Sequence, residues 1–426
     1  VACSGFYKST VCINYILFMK YYDVLIVGGG AAGFFSAINT AQRNPDLKIA
    51  ILERGNTVLS KVKISGGGRC NVTHAEFEPK PLTLHYPRGQ KELLGPFHTF
   101  MTSDTMEWFE KRGVDLVIEA DGRVFPKSNS SQTIIDCFLS EAHKYKVDIL
   151  LNHSVQNIEQ ENNQWKLTTP KDTLFTKKVL IATGSNPKMW NLLQKIGHRT
   201  TTPVPSLFTF TISDPRIKSI PGVVAKHVTL SVNNSSLTSS GPLLITHSGV
   251  SAPSVLKLSA YGALELAKRN YNFDLKINFI SKELTECVEE LGIFKTNLSK
   301  KYVRKHTLYD LPKRLWEQLV KGAELPDEIK WAEVNHKQLH QLGLQLTSAV
   351  FKVTGKSMFK EEFVTAGGID LKEINFKTFE SKLHRNLFFA GEILNIDAVT
   401  GGFNFQNAWT GGFIAAQHMS NENNET

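Results

Sequence analysis

The residues whose types and spacing most clearly suggest chemistry are the glycines of the stretch GGGAAG near the N-terminus. In a turn that binds a dinucleotide, each glycine has its own task. Gly28 allows a sharp turn, Gly30 lets a pyrophosphate reach the backbone, and Gly33 lets a helix pack closely on a sheet. The free N–H groups at the start of that helix, around Ala31 and Ala32, would then face the phosphates. The stretch therefore predicts a phosphate-binding turn.

The segments around these glycines predict the βαβ unit that such a turn requires. Residues 22–27 are typical of a buried parallel strand, residues 31–43 allow a helix with one apolar face, and residues 48–53 suggest a second buried strand. Glu53 ends that strand about 20 residues beyond the last glycine, where a carboxylate can accept hydrogen bonds from a ribose diol. Arg54 follows it and is assigned to the same site. A glycine turn without a ligand is the alternative.

A second glycine-rich segment, residues 61–73 with the sequence KVKISGGGRCNVT, follows soon after. Three consecutive glycines indicate a backbone that bends or that approaches a ligand closely. Lys61 and Arg69 supply positive charge beside them, and Ser65 and Asn71 supply short polar side chains. The segment predicts a second cradle for the same ligand, and a flexible surface linker is the alternative.

Two later strands are predicted to end in turns that fit the same site. One ends at Thr183 and Gly184, and the other ends at Gly391 and Glu392. In a doubly wound sheet, ligands bind at the carboxyl ends of the strands. A plain tight turn explains Thr183 and Gly184 equally well when that stretch is taken alone. Residues 403–419 predict a helix preceded by two glycines, so its N-terminus is a second positive dipole end.

The middle of the chain has a different pattern. From about Pro203 onward, alternating strands punctuated by proline and glycine predict an inserted antiparallel β domain. Apolar stripes at helical spacing over residues 281–349 predict a small helical subdomain. His247 lies in a polar turn of the β domain and is a candidate catalytic acid or base. A lone histidine is more often a structural residue, so this assignment stays open.

Length and cysteine pattern limit the class of protein. The chain has 426 residues, enough for two or three domains, and no apolar run reaches the roughly 20 residues that span a bilayer. Its five cysteines are scattered without CxxC spacing, so neither disulfides nor a metal site is expected, and a reducing cytoplasm fits best. Cys70 could be redox-active, but a packing role is favoured. Residues 1–18 lack the features of a signal peptide and are expected to form a disordered extension without function.

The formal net charge of +9 permits nucleic-acid binding. Lys and Arg are nevertheless interleaved with acidic residues along the chain. A solvated helix face is the favoured explanation even for the densest basic patch, residues 300–306. An anionic cofactor would also suit a basic protein, so a nucleic-acid partner is not expected.

With these motifs, the chain resembles the bacterial flavoproteins called BaiN-like or YhiN-like NAD(P)/FAD-dependent oxidoreductases. The most specific blocks are residues 61–73, residues 390–412 with the sequence AGEILNIDAVTGGFNFQNAWTGG, and residues 246–253 with the sequence THSGVSAP. The similarity runs from Tyr21 to the C-terminal helix. It implies an α/β fold with a discontinuous Rossmann-like FAD-binding domain, an inserted antiparallel β domain and a small helical subdomain.

The resemblance also implies domain limits and cofactor contacts. The FAD-binding domain is expected over residues 19–198 and 356–426, the β domain over 199–280 and 345–355, and the helical subdomain over 281–344. Glu392 would hold the ribityl hydroxyls, and the helix beginning at 403 would stabilise negative charge on a reduced flavin. The residues assigned to FAD by motif and resemblance together are Gly28, Gly30, Ala31, Ala32, Gly33, Glu53, Arg54, Lys61, Ser65, Gly67, Gly68, Arg69, Cys70, Asn71, Val155, Thr183, Gly184, Gly391, Glu392, Asp397, Gly401, Gly402, Phe403 and Asn404.

An FAD cofactor makes hydride or electron transfer the expected chemistry. The sequence has no second GxGxxG at a strand-to-helix turn, so NAD(P)H would have to dock directly over the flavin as a transient electron donor. The leading expectation is the reduction of an unsaturated or keto small molecule. A flavoenzyme that acts on RNA and a flavin-binding protein without a nicotinamide donor are the alternatives. The sequence defines neither the substrate nor the oligomeric state.

Overall fold

The computed structural model describes residues 19–357 and 364–421. The extension expected over residues 1–18 lies outside this described part. The composition of residues 360–369 also predicts a strand, and its first residues lie outside the described part as well. The chain divides into two compact units, one containing the chain up to Pro203 and from Thr365 onward, the other spanning Val204–Val364. The finer domain limits drawn from the sequence stay predictions.

The described residues form twenty strands and fourteen α-helices, with short 3-10 helices at Trp331–Glu333 and Leu371–Glu373. The strands are β1 Met19–Val27, β2 Ile49–Glu53, β3 Thr73–His74, β4 Leu116–Ile118, β5 Arg123–Pro126, β6 Asp148–Leu151, β7 Asn157–Glu161, β8 Gln164–Thr168, β9 Thr173–Ile181, β10 Thr200–Ser206, β11 Thr209–Ile212, β12 Val224–Val232, β13 Thr238–Ile245, β14 Gly249–Ser251, β15 Phe273–Asn278, β16 Ala349–Ser357, β17 Val364–Ile369, β18 Ile374–Asn375, β19 Glu380–Ser381 and β20 Leu387–Phe389. The helices are α1 Ala31–Arg43, α2 Ser60–Gly68, α3 Pro79–Thr83, α4 Gln90–Thr99, α5 Thr102–Glu110, α6 Ser131–Lys144, α7 Pro187–Lys195, α8 Pro215–Lys218, α9 Pro253–Tyr261, α10 Ala263–Lys268, α11 Leu284–Asn297, α12 Lys313–Gly322, α13 His336–Thr347 and α14 Phe403–Met419.

A parallel sheet forms the centre of the first unit. Its strands lie in the order β20, β9, β1, β2, β6, with all four pairs parallel. The antiparallel strands β18 and β19 extend one edge, and the β7–β8 hairpin pairs with β9. Val24, Leu25 and Ile26 of the central strand have no exposed surface, as expected for a parallel sheet covered on both faces. The predicted Rossmann-like fold class is confirmed.

Helices α1 and α14 have the limits that the sequence predicted, and they pack against each other. A Cβ placed on Gly412 would lie 3.1 Å from the Ala32 carbonyl oxygen, so the middle of α14 meets the start of α1. Aromatic rings fill the space beside this contact, with the centroid of Phe35 4.6 Å from that of Trp108 and 5.2 Å from that of Trp409.

One core assignment from the helical pattern is wrong. The apolar spacing of residues 131–145 predicts an amphipathic helix that buries Leu139 together with Phe138. In α6, however, Leu139 is 37% exposed while Phe138 is fully buried. Consecutive residues are about 100° apart around a helix, so the neighbour of a central core residue turns toward solvent.

The second unit contains a closed antiparallel barrel with strand order β11, β14, β13, β12, β15, β16. Alternate barrel residues such as Leu230 and Leu275 are buried, as the period of two predicts. Leu319 and Leu342, from two of the predicted helical stripes, belong to the same hydrophobic core. Among the described residues, no helix is both long and apolar enough to cross a membrane.

Candidate cofactor site

The first glycine turn has a different environment at each glycine. Gly28 has a φ of +119°, which side chains rarely adopt, and its Cβ would lie 2.4 Å from the Ala182 carbonyl oxygen. At Gly33, a Cβ would lie 2.0 Å from the Gly28 carbonyl oxygen, so this glycine permits close packing of α1. At Gly30, a Cβ would meet no described atom within 4 Å. Gly30 therefore faces open space, as a turn that binds phosphate requires.

The Glu53 carboxylate is fixed at this turn. Its Oε2 accepts a hydrogen bond from the Gly29 N–H at 3.0 Å, and its Oε1 accepts one from the Gly55 N–H at 2.7 Å. Each carboxylate oxygen can accept more than one hydrogen bond, so a ribose diol can still be bound. The adjacent Arg54 is exposed, and Val155 is half-buried in the loop after β6.

The second glycine segment bends as the sequence predicts. Helix α2 is interrupted at residues 65–67, where Gly66 and Gly67 have φ values of +56° and +68°. No described atom lies within 4 Å of a Cβ added at Gly67 or Gly68. Ser65 Oγ donates a hydrogen bond to the Val62 carbonyl at 2.8 Å, which holds the side chain within the bend.

In this structure Arg69 is paired with another residue of the protein, and Cys70 is buried. The Arg69 guanidinium donates to Glu119 Oε1 at 2.7 Å and lies 3.9 Å from the centre of the Phe125 ring. Cys70 has no exposed surface, and burial raises the pKa of its thiol to about 12. The thiol is therefore protonated at neutral pH, which favours the packing role over the redox role.

Three segments far apart in sequence meet at the carboxyl end of the sheet. Lys61 Nζ lies 2.6 Å from Glu392 Oε2, and a Cβ added at Gly184 would lie 3.8 and 3.6 Å from those two atoms. A Cβ added at Gly391 would lie 3.4 Å from the Cβ of Ala32, at the first turn of α1. The structure therefore brings Lys61, Gly184, Gly391 and Glu392 together beside the first glycine turn.

The N-terminus of α14 forms the other end of the candidate site. Gly402, the N-cap residue, has a φ of +95°, and its Cβ would lie 2.9 Å from Asn71 Oδ1. Asn71 is 9% exposed, and its Oδ1 has no hydrogen-bond partner among the described residues. The Asn404 side chain accepts from the Ala398 N–H at 3.0 Å and closes the loop before the helix.

Arg88 and Asn407 belong to this region although sequence reasoning did not single them out. Asp397 is fully buried, and its carboxylate forms a two-point ion pair with Arg88. Asn407 lies one turn into α14, is 1% exposed and has neither amide atom paired within the described chain. A polar residue in an otherwise apolar stretch of helix could have drawn attention to Asn407. The partner of Asp397 depends on tertiary contacts and leaves no sequence pattern.

These residues fit FAD. Buried polar atoms almost always have hydrogen-bond partners, so Asn71 Oδ1 and Thr183 Oγ1, both buried without one in the described structure, indicate a polar ligand. Open space at Gly30 and Gly67 leaves room for it. Asp397, Gly401 and Phe403 lie in or next to the loop before α14. His247 is exposed in the second unit between β13 and β14, and its catalytic role stays a prediction.

The fold and site define the class as an FAD-dependent oxidoreductase. A family model described as the HI0933-like protein Rossmann domain matches residues 22–418, and the chain belongs to this family. This confirms the resemblance to BaiN-like and YhiN-like flavoproteins that the sequence motifs indicated.

Individual relatives span almost the whole chain. The chain is 27% identical to the ribosomal RNA dihydrouridine synthase of Escherichia coli (strain K12), over 94% of this chain and 98% of that protein. It is 23% identical to the 3-dehydro-bile acid delta(4,6)-reductase of Clostridium scindens, over 92% and 97%. The structure of 3-ketosteroid delta1-dehydrogenase from Sterolibacterium denitrificans is similar with a TM-score of 0.48 and 11% identity, covering 94% of this chain and 99% of that one.

Alanine substitutions at Gly30 and Gly33 are expected to separate ligand binding from packing. Gly30 has extended backbone and open space, so G30A should change the free energy of unfolding by less than about 0.5 kcal/mol. It should weaken FAD binding at least tenfold, about 1.4 kcal/mol, because the methyl group occupies the phosphate approach. G33A should cost about 1–3 kcal/mol of stability through its clash with the Gly28 carbonyl. Denaturant unfolding measures the stability of each variant, and fluorescence titration with FAD measures its affinity for the cofactor. Wild-type FAD affinity in G30A would contradict the assignment of Gly30 to the phosphate site.

The thiol of Cys70 should resist alkylation in the native protein. With a pKa of about 12, its thiolate is scarce at pH 8, so iodoacetamide should label it on the order of a thousandfold more slowly than in denaturant. Peptide mass spectrometry distinguishes Cys70 from the other cysteines. Equal labelling rates in the two conditions would show instead that the thiol is accessible and reactive.

Proposed function

We propose that the chain reduces a carbon–carbon double bond conjugated to a carbonyl group, with FAD as cofactor. Two relatives support this reaction, because their names describe reduction of the same kind of double bond in two different substrates. Dihydrouridine is a uridine whose double bond next to a ring carbonyl has been reduced, and a delta(4,6) 3-dehydro bile acid carries double bonds conjugated to a ketone. The observation that supports the flavin part of the proposal is the N-terminus of α14 beside the unpartnered Asn71 Oδ1.

Each part of the site has a role in this proposal. FAD, when bound and reduced by NAD(P)H, would supply the hydride for the double bond, and a proton would complete the saturation. The backbone N–H groups around Gly30 hold the pyrophosphate, and Glu53 holds the adenosine ribose. The N–H groups at Gly402 and Phe403, with the dipole of a 17-residue helix behind them, stabilise negative charge at the pyrimidine edge of the flavin.

The electron donor in this proposal is NAD(P)H, which docks over the flavin because the chain carries a single dinucleotide-binding glycine turn. A flavin-binding protein without such a donor would keep its absorption band near about 450 nm when NADH or NADPH is added without oxygen. Bleaching of that band supports the donor. The cytoplasmic location drawn from the cysteine pattern stays a prediction.

The first candidate substrate is a uridine in ribosomal RNA. It is favoured by the relative that is 27% identical over 98% of its own length, although the charge pattern alone predicted no nucleic-acid partner. The second candidate is a small conjugated ketone, the class expected from the sequence. It is favoured by the relative that is 23% identical over 97% of its length.

A paired assay separates the two candidates. The FAD-loaded protein is incubated without oxygen, with NADH or NADPH, and with either in vitro transcribed ribosomal RNA or a conjugated 3-keto-steroid. Mass spectrometry then measures dihydrouridine or the saturated ketone. We expect dihydrouridine to form, and G30A assayed at limiting FAD to form at least tenfold less because its FAD affinity is lower.

Each outcome of this assay has a consequence. Reduction of the steroid alone would favour the second candidate. A flavin that NADH or NADPH reduces, together with no product from either substrate, would contradict the proposed reaction.

A further inference from the structure

His74 links a short strand to the loop before α14. It ends β3, where it pairs with Arg123 of β5. Its Nδ1 lies 3.1 Å from the Gly401 carbonyl oxygen, and because the partner is an acceptor, Nδ1 carries the hydrogen. The ring is also confined on its other sides. Its centroid lies 4.6 Å from that of Phe403, and its Nε2 lies 2.6 Å from where a Cβ on Gly122 would be.

This hydrogen bond orients the peptide group that begins α14. The described peptide bonds are all trans, so the Gly401 carbonyl and the Gly402 N–H point in opposite directions. Holding the carbonyl toward His74 therefore aims the N–H away from it. Gly401 and Gly402 have φ values of +133° and +95°. A pair of glycines has little conformational stiffness of its own, so the orientation depends on an outside contact.

The N-terminus of α14 at Gly402 has two features of a ligand site. One is that the first N–H groups of a helix have no acceptor within the helix. The second is Asn71, a residue that is 9% exposed and whose Oδ1 has no partner in the described structure. This oxygen lies 2.9 Å from the Cβ position of Gly402, beside the Thr73 carbonyl oxygen at 2.5 Å. The helix end needs an acceptor and the amide oxygen needs a donor. The pyrimidine ring of a flavin presents carbonyl oxygens and an N–H side by side.

We propose that His74 is a positioning residue that aims the Gly402 N–H at the pyrimidine edge of FAD. The inference rests on the proposed function in that FAD is the ligand. Negative charge develops at that edge when the flavin is reduced, so an aligned N–H stabilises the reduced form more than the oxidised form. His74 therefore sets the reduction potential of the bound cofactor through the backbone, without touching the substrate.

The test compares the two-electron reduction potential of bound FAD in wild type, H74A, H74N and the control H143A. The amide nitrogen of Asn can take the place of Nδ1 as hydrogen-bond donor, whereas Ala has none. We expect H74A to lower the equilibrium constant for reduction about tenfold, a potential about 30 mV more negative. H74N should stay within a factor of two, under about 10 mV. The exposed His143 on α6 should leave the potential unchanged.

Several results would overturn this role. One is a wild-type reduction potential in H74A. Another is a shift in H74N equal to that in H74A, because loss of ring packing would then explain the shift in both variants. If H74A folds too poorly to bind FAD, H74N with wild-type potential supports the role, and failure of both variants to bind FAD overturns it. The measurement needs no substrate. A protein that holds FAD but reduces neither RNA nor steroid would therefore overturn the proposed function alone, and one that takes up no FAD would overturn both.

Discussion

The packing of α14 against α1 is the contact on which the candidate site depends. Gly412 sits against the first turn of α1, and Gly391 fits between Ala32 and Ala408. Ten residues of helix separate Gly412 from the N-cap Gly402, a length of about 15 Å at 1.5 Å per residue. The N-termini of α1 and α14 are therefore held at a fixed separation of about 15 Å. An extended dinucleotide with a phosphate near its middle and a polar ring at its end matches such a pair of anchors.

A buried polar network fixes the second anchor. Gln406 Oε1 accepts hydrogen bonds from Thr73 Oγ1 at 2.6 Å and from Thr105 Oγ1 at 3.0 Å. Trp409 Nε1 donates to the Val72 carbonyl at 2.9 Å, so the backbone of residues 72–74 follows the first two turns of α14. Satisfied networks of this kind cost energy to break because each freed group would be buried without a partner. The segment that carries Asn71 and His74 is therefore held in one position relative to the helix N-terminus.

Local patterns in the sequence predicted much of the first unit. The limits of α1 and α14 follow from apolar spacing and flanking glycines, and the distinct roles of Gly28 and Gly33 follow from backbone sterics. The exposed position of Leu139 shows where such patterns end, because the width of a buried helix face depends on the neighbouring elements. The second unit was predicted by strand alternation, but its closure into a barrel requires long-range pairing that no local pattern contains.

The contacts that complete the site could not be predicted for the same reason. Lys61 and Glu392 are 331 residues apart, and Arg88 and Asp397 are 309 apart. Their pairing is a result of the fold, as is the hydrogen bond from His74 to Gly401. The unpartnered state of Asn71 Oδ1 and Thr183 Oγ1 is also visible only in three dimensions.

A crystal structure of the FAD-loaded protein tests the central claim most directly. We expect pyrophosphate oxygens within hydrogen-bond distance of the N–H groups around Gly30, at about 2.7–3.2 Å. We also expect the pyrimidine edge of the flavin at the N–H of Gly402 and the amide of Asn71. Cofactor density away from both helix N-termini, or side chains filling the space beside Gly30, would contradict the claim.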